Sequence, residues 1–332
     1  MTETLRMLRA DPTPHAPASK VRRDDPRLSH RIVTLDADPQ PDRVQLIVLG
    51  VADGRGVQLA GGRAGANDGP SKFRDHFFRL PAPPEFGPGS VLNAGDLEPA
   101  GHTPETHARL AEVVAVLRER FGGARLVVIG GGGDHAYGDI LGLARSVGQR
   151  FASGTIAAVH VDAHADVAMH DPTRDEPHAG TAFRRLLTEP AARLAGPACV
   201  HWGLQRSAVG HAHLQWLAEK GAQTVFLEDI DGDARKAGSE LCGLLRTLAD
   251  DHPGLALSVD LQAFCQADAP GVASPQAIGV PAGAVVRAAA LLGRLGVASQ
   301  LGIYELNPRF DQDGATARLA ARIAWSYGTG LV

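Results

Sequence analysis

Apolar residues in this chain gather in short blocks, separated by longer stretches whose apolar positions follow a helical period. The blocks at 44–49, 91–93, 125–129, 155–161, 199–204, 224–227, 255–261 and 300–305 are mostly rich in β-branched residues and bounded by Gly, Pro, Asp or Asn. That pattern predicts strands, and their continuous apolar character fits a sheet covered on both faces. Helices are predicted over 104–121, 137–151, 181–194, 212–220, 234–249 and 283–295, with a last one over 315–325. Eight strands interleaved with helices make an α/β fold with a mostly parallel sheet. A closed eight-stranded barrel has the same repeat and ranks second. Residues 1–42, rich in Pro, Asp and Arg, lack a sustained apolar period and read as a flexible arm or a surface wrap. Residues 43–332 then form one domain, since neither an internal repeat nor a shift in composition divides them.

Composition narrows the class of protein. With 44% hydrophobic and 21% charged residues, the 332-residue chain is ordinary for a globular protein. A formal charge of −4 gives no reason to expect nucleic acid or an anionic membrane as partner. Three widely spaced cysteines, Cys199, Cys242 and Cys265, form neither a disulfide framework nor a zinc spacing. They are expected as small buried residues in a reducing compartment. The amino terminus lacks an apolar signal core, and no run approaches the length of a membrane span, so the expected location is the cytoplasm.

The chemistry gathers where strands end. The block at 155–161 runs into Asp162-Ala163-His164-Ala165-Asp166. Strand side chains alternate faces, so Asp162, His164 and Asp166 project together. Carboxylate oxygens beside an imidazole suit manganese, zinc or iron; the alternative is a polar strand end with Asp166 as a helix cap. Other strand ends add His135 after Gly130-Gly131-Gly132-Gly133-Asp134, Asp260 with Gln262, and Glu305. Unpaired carboxylates so close would repel one another and rise in pKa, which a bound dication relieves. The loop Gly61–Gly69 is dense in glycine but carries no phosphate-binding signature.

Four motifs in order make the chain resemble the ureohydrolases, a family that includes arginase, agmatinase, guanidino-acid hydrolases and formimidoylglutamase. They are Gly62-Arg63-Ala64-Gly65-Ala66 with Gly69-Pro70, Gly132-Gly133-Asp134-His135, Asp162-Ala163-His164-Ala165-Asp166 and Ser258-Val259-Asp260. The resemblance covers the chain from about residue 44 onward. It implies a three-layer α/β/α sandwich with an eight-stranded, mostly parallel sheet, a paired manganese site and hydrolysis of a C–N bond in an amidine or guanidine. Gly203-Leu204-Gln205-Arg206-Ser207-Ala208, Ala269-Pro270-Gly271-Val272 with Pro275, and Glu305-Leu306-Asn307-Pro308 followed by Asp311, Asp313 and Thr316-Ala317-Arg318 look most like formimidoylglutamase.

Carried over motif by motif, His135, Asp162, Asp166 and Asp260 are implied ligands of a first metal, with Asp162 and Asp260 bridging. His164 and residue 262 would complete a second. Asp166 would orient the attacking water and pass a proton on, Glu305 would pair with the cationic amidinium, and His178 would relay protons unless it is a solvated loop histidine. Gln262 departs from the family, which has Asp there. A neutral amide weakens a dication site, so one or two manganese ions are expected, the second held less tightly.

Formimidoylglutamate carries two carboxylates, for which Arg63, Arg206 and Arg309 are candidate partners, although each can equally serve in a surface salt bridge. The leading reading is a hydrolase that converts N-formimidoyl-L-glutamate and water to L-glutamate and formamide, in histidine breakdown. The alternatives are an agmatine or guanidino-acid hydrolase releasing urea, and a non-catalytic ureohydrolase-like protein, the last because of Gln262. The expected partner is a small amidine or guanidine, and a homo-oligomer is compatible with the sequence.

Overall fold

A computed structural model describes residues 2–11, 24–151, 154–170 and 176–332. The strands are β1 (Leu8–Arg9), β2 (Ile32–Thr34), β3 (Leu46–Val51), β4 (Val91–Leu97), β5 (Arg125–Ile129), β6 (Ile156–Val161), β7 (Leu194–Leu204), β8 (Gln223–Phe226), β9 (Gly254–Asp260) and β10 (Ala298–Tyr304). The helices are α1 (Arg55–Leu59), α2 (Gly69–Phe77), α3 (Thr103–Arg120), α4 (His135–Arg150), α5 (Ala182–Leu186), α6 (His211–Lys220), α7 (Ala234–Asp251), α8 (Ala282–Leu292) and α9 (Ala315–Thr329).

All the strands lie in one sheet of order β1-β4-β3-β5-β10-β9-β6-β7-β8, with β2 also on β4. The path is open and ends at β1 and β8, which rules out the closed barrel. Every ladder between these strands is parallel except β1 on β4. Each of the eight expected strands is present. The two additions, β1 and β2, are too short to carry a readable period, and they belong to the amino-terminal arm. There Leu8 pairs with Leu97, Ile32 pairs with Val91, and Leu5 and Leu28 are buried. The helix expected over 181–194 is only α5, because Pro190 cannot continue it and β7 begins at Leu194.

The strand pleat divides the core. Leu46 and Val48 of β3 face one apolar cluster with α9, while Ile47, Leu49 and Val51 face another with Leu110, Val113 and Leu117 of α3. Helices therefore cover both faces, giving three layers. No helix among the described residues is long and apolar enough to cross a membrane. Cys199 is buried, whereas Cys242 and Cys265 are half-buried.

The neighbours β5, β10, β9 and β6 end together at one edge. Ile303 is in register with Ile129, Tyr304 with Asp260, and Val161 with Val259. Residues just past these strands converge at the carboxyl edge, where open α/β sheets place their ligands.

Candidate metal centre

Past the end of β6, both Asp162 carboxylate oxygens are buried without a hydrogen bond. His164 Nδ1 stands 3.4 Å from Asp162 Oδ1. Asp166 takes a left-handed conformation, φ 52°, and is held there because its carbonyl accepts the Phe183 and Arg184 N–H groups that begin α5. From β9, Asp260 Oδ1 accepts the Gln262 N–H at 2.7 Å and starts a short 3-10 turn. From β10, Glu305 is also left-handed, φ 69°, with its N–H on the Gly131 carbonyl. Glu305 Oε1 accepts the Gly133 N–H at 3.0 Å, and its buried Oε2 has no partner.

These acids crowd one another. Burial, then Asp162, Glu305 and Asp166, push the Asp260 carboxyl well above its usual range. Burial also raises Asp166 and Glu305, aided by their acidic neighbours. Burial acts the same way on Asp162, but His164 and His160 outweigh it and hold that carboxyl below the usual range. A cluster whose acids resist ionising together, with uncapped oxygens pointing inward, has the donor set of a hard divalent cation. Asp162, Asp166, Asp260 and His164 can hold one. A cavity of about 310 Å³ opens onto the cluster, lined by His164, Asp166, His178, Gln262 and Glu305 among small apolar side chains.

His135 does not join this cluster. Its Nδ1 donates to the Gly132 carbonyl at 3.0 Å and its ring meets His107 edge-on at 5.5 Å. It groups with His107 and Asp134, and its electrostatic partners are Asp53, Asp134 and Asp139. What the β5–α4 turn presents to the carboxylates is Gly133: a Cβ there would lie 3.3 Å from both Asp166 Oδ2 and Asp260 Oδ2. His135 is the first residue of α4, after the Asp134 N-cap, and its buried Nε2 has no hydrogen-bond partner among the described residues.

Nor does the structure bring Arg63, Arg206 and Arg309 to the cavity. Arg63 donates to the Val272 and Ala273 carbonyls and lies over Phe310. Arg206 lies over Phe226 near Asp229, and Arg309 lies 3.7 Å from Asp68. Each cation is engaged by its own surroundings. His178 does reach the cavity wall, where its Nδ1 accepts the Gly180 N–H.

Sequence reasoning missed His160. Its Nε2 lies 3.4 Å from Asp162 Oδ2 and 3.5 Å from Asp166 Oδ2. Its Nδ1 meets Ser258 Oγ at 3.2 Å, and its ring stacks on Phe183 at 4.1 Å. Burial pulls this imidazole down, but Asp162 and Asp166 overcome that and hold it up at about 9. The signal was available, since β6 alternation puts His160 on the face of Asp162. His213 and Ser274, which line the outer cavity, carried no such pattern.

A profile of the arginase family matches residues 45–329. The chain belongs to the arginase family. Formimidoylglutamase of Klebsiella pneumoniae is 30% identical over 288 residues, 86% of either chain. That of Cupriavidus pinatubonensis is 31% identical over 280 residues, 84% of this chain and 85% of the other. The formiminoglutamase of Trypanosoma cruzi, solved with Mn2+, superposes with a TM-score of 0.77 at 27% identity, covering 92% of this chain and 98% of that one. Formimidoylglutamase of Bacillus subtilis, at 20% identity and a TM-score of 0.81, shares the fold over 95% of this chain and 94% of its own. This arginase-family hydrolase thus carries its acids where the sheet edge puts them, with Gln262 lining the same cavity and His135 set beside His107 and Asp134.

Proposed function

We propose that this chain hydrolyses N-formimidoyl-L-glutamate to L-glutamate and formamide with manganese as its cation. The observation that carries the reading is the convergence of Asp166, Glu305 and His164 on one cavity at the carboxyl edge. The similarity to formimidoylglutamases along most of the chain supports the substrate. A dication among Asp162, Asp166, Asp260 and His164 would supply Lewis acidity, lowering the pKa of water from 15.7 toward about 7.

The chain's own groups do the rest. Glu305 Oε2, buried and unpartnered, accepts N–H bonds from the cationic amidinium and aims its carbon at the carboxylates. Asp166 orients the water and takes a proton from it as its oxygen bonds to that carbon. The proton then passes to the glutamate nitrogen, the C–N bond to that nitrogen breaks, and the hydroxyl formed from the water gives up its remaining proton to the departing amine, leaving formamide. His213, Ser274 and His178 offer donors to the substrate carboxylates, in place of the three arginines.

The cavity lining among the described residues contains no Arg or Lys. That favours a second reading, a guanidine or amidine with an uncharged or cationic tail, such as agmatine, releasing urea. Incubating the manganese-loaded protein with formimidoylglutamate, agmatine and guanidino acids separates these. Formamide release supports the first reading and urea release the second. Release of neither overturns both and leaves a non-catalytic protein.

A further inference from the structure

The opposite edge of the sheet, where β3, β5 and β10 begin, holds a second cavity of about 300 Å³. Its lining includes Gln45, Arg118, Gly123, Arg125 and Ser299. Arg118, at the end of α3, is 6% exposed. Its Nη1 donates to the Ser299 carbonyl at 3.0 Å and to Gln300 Oε1 at 3.2 Å. Arg125 donates through Nε to the Gly293 carbonyl and through Nη1 to the Gly328 carbonyl. On both arginines, Nη2 has no hydrogen-bond partner among the described residues. Neither has a carboxylate within salt-bridge distance among those residues.

A third cation backs the pair. Arg150 Nη2 donates to the Arg118 carbonyl at 2.9 Å. A Cβ on Gly122 would stand 2.2 Å from that nitrogen, so glycine lets Arg150 close in. Asp139 is tied to Arg118 through Gln300, which bridges the two. A buried guanidinium without a counter-charge is costly, and the planar donor fork of arginine matches an oxyanion.

We propose that this cavity binds a small oxyanion, a carboxylate or phosphate group held between Arg118 and Arg125, at a site separate from the metal centre. Main-chain carbonyls take up one side of each guanidinium and fix its plane, which leaves the free Nη2 groups to the ligand. The Gly122–Gly123 turn forms an open mouth, since a Cβ on Gly123 would meet nothing within 4 Å.

The test uses the full, metal-loaded chain, freed of excess metal. Inorganic phosphate and L-glutamate are titrated at matched ionic strength, followed by calorimetry and thermal shift. A saturable rise in melting temperature is expected with at least one anion, and which anion gives it identifies the group bound. In Arg125→Gln the affinity should fall about tenfold or more. Gly123→Asp, which puts a carboxylate at the mouth without touching either arginine, should do the same and covers the case in which Arg125→Gln does not fold. Binding by neither anion overturns the proposal. So does binding that persists at full strength in folded Arg125→Gln and Gly123→Asp proteins, because the anion would then sit at the metal centre.

Discussion

The two edges of the sheet gather charge of opposite sign: buried carboxyls at one, and buried Arg118 beside half-buried Arg125 and exposed Arg150 at the other. At the carboxyl edge Asp162, Asp166, Asp260 and Glu305 face one another, with Asp162 Oδ1 and Oδ2 and Glu305 Oε2 uncapped. At the amino edge Arg118, Arg125 and Arg150 lean on main-chain carbonyls. A third buried charge differs from both: Arg74, fully buried, lies 2.7 Å from Asp96 and 3.5 Å from Asp11. The contrast separates two uses of buried charge. Arg74 is paired by the chain itself and holds the arm against the end of β4. The two edges await a partner from outside. Only the carboxyl edge adds backbone strain, in the left-handed Asp166 and Glu305.

Removing one uncapped acid should have the largest effect. Asp162 is the only clustered carboxyl held below its usual range and so the one most ready to bind a cation. Asp162→Ala should lose more than about a hundredfold in manganese affinity, well beyond His164→Ala. Equal metal retention in the two variants, measured by elemental analysis after dialysis, would remove Asp162 from the centre of the site.

The internally paired charge should behave as a stability element. Arg74→Ala leaves Asp96 and Asp11 without their cation and should cost about 3–5 kcal/mol in chemical denaturation, with metal affinity unchanged. A cost below about 1 kcal/mol would erase the distinction between paired and waiting charge.

Between the edges sits Asp139, whose carboxyl is pushed up to about 7 by burial, against hydrogen bonds from Tyr304 and Gln300. From its ordinary 3.8 up to about 7, the folded chain keeps a proton that the unfolded chain has lost, so stability falls as pH rises through that window. Relative to Asp139→Asn, the wild type should lose up to roughly 4 kcal/mol across it. Parallel stability curves for the two proteins would contradict this assignment. A smaller effect is expected behind the metal centre, where His160→Asn should weaken manganese binding about 10–100-fold without unfolding the chain. Unchanged affinity would make His160 mere packing against Phe183.

Much of this was legible from the chain alone. Eight apolar blocks located eight strands, because a strand buried on both faces leaves a run that needs no partner to be read. Asp162, His164, Asp166 and Asp260 were legible for a related reason: they sit within a few residues of a strand end, so topology carries them to one edge. His135 was not, because a turn of glycines hides where the strand stops and the helix begins, and α4 starts at His135 itself, beside His107 and Asp134. The arginines failed differently. Arg63, Arg206 and Arg309 lie in loops, where position along the chain does not fix direction, and Phe310, Phe226 and nearby carbonyls or acids take them up. Arg118 and Arg125 fall within an expected helix and at an expected strand start, and only the fold places a cavity between them.

The central claim is that the carboxyl edge holds a divalent cation through Asp162, Asp166, Asp260 and His164, with a second ion weakened because Gln262 supplies no charged ligand. Calorimetric titration of manganese into metal-stripped wild type and Gln262→Asp protein, with activity followed in parallel, tests it directly. The account predicts fewer than two tight equivalents in the wild type, activity that climbs as manganese is added, and a tighter second ion in Gln262→Asp. Two tight equivalents in the wild type, or none in either protein, would contradict it.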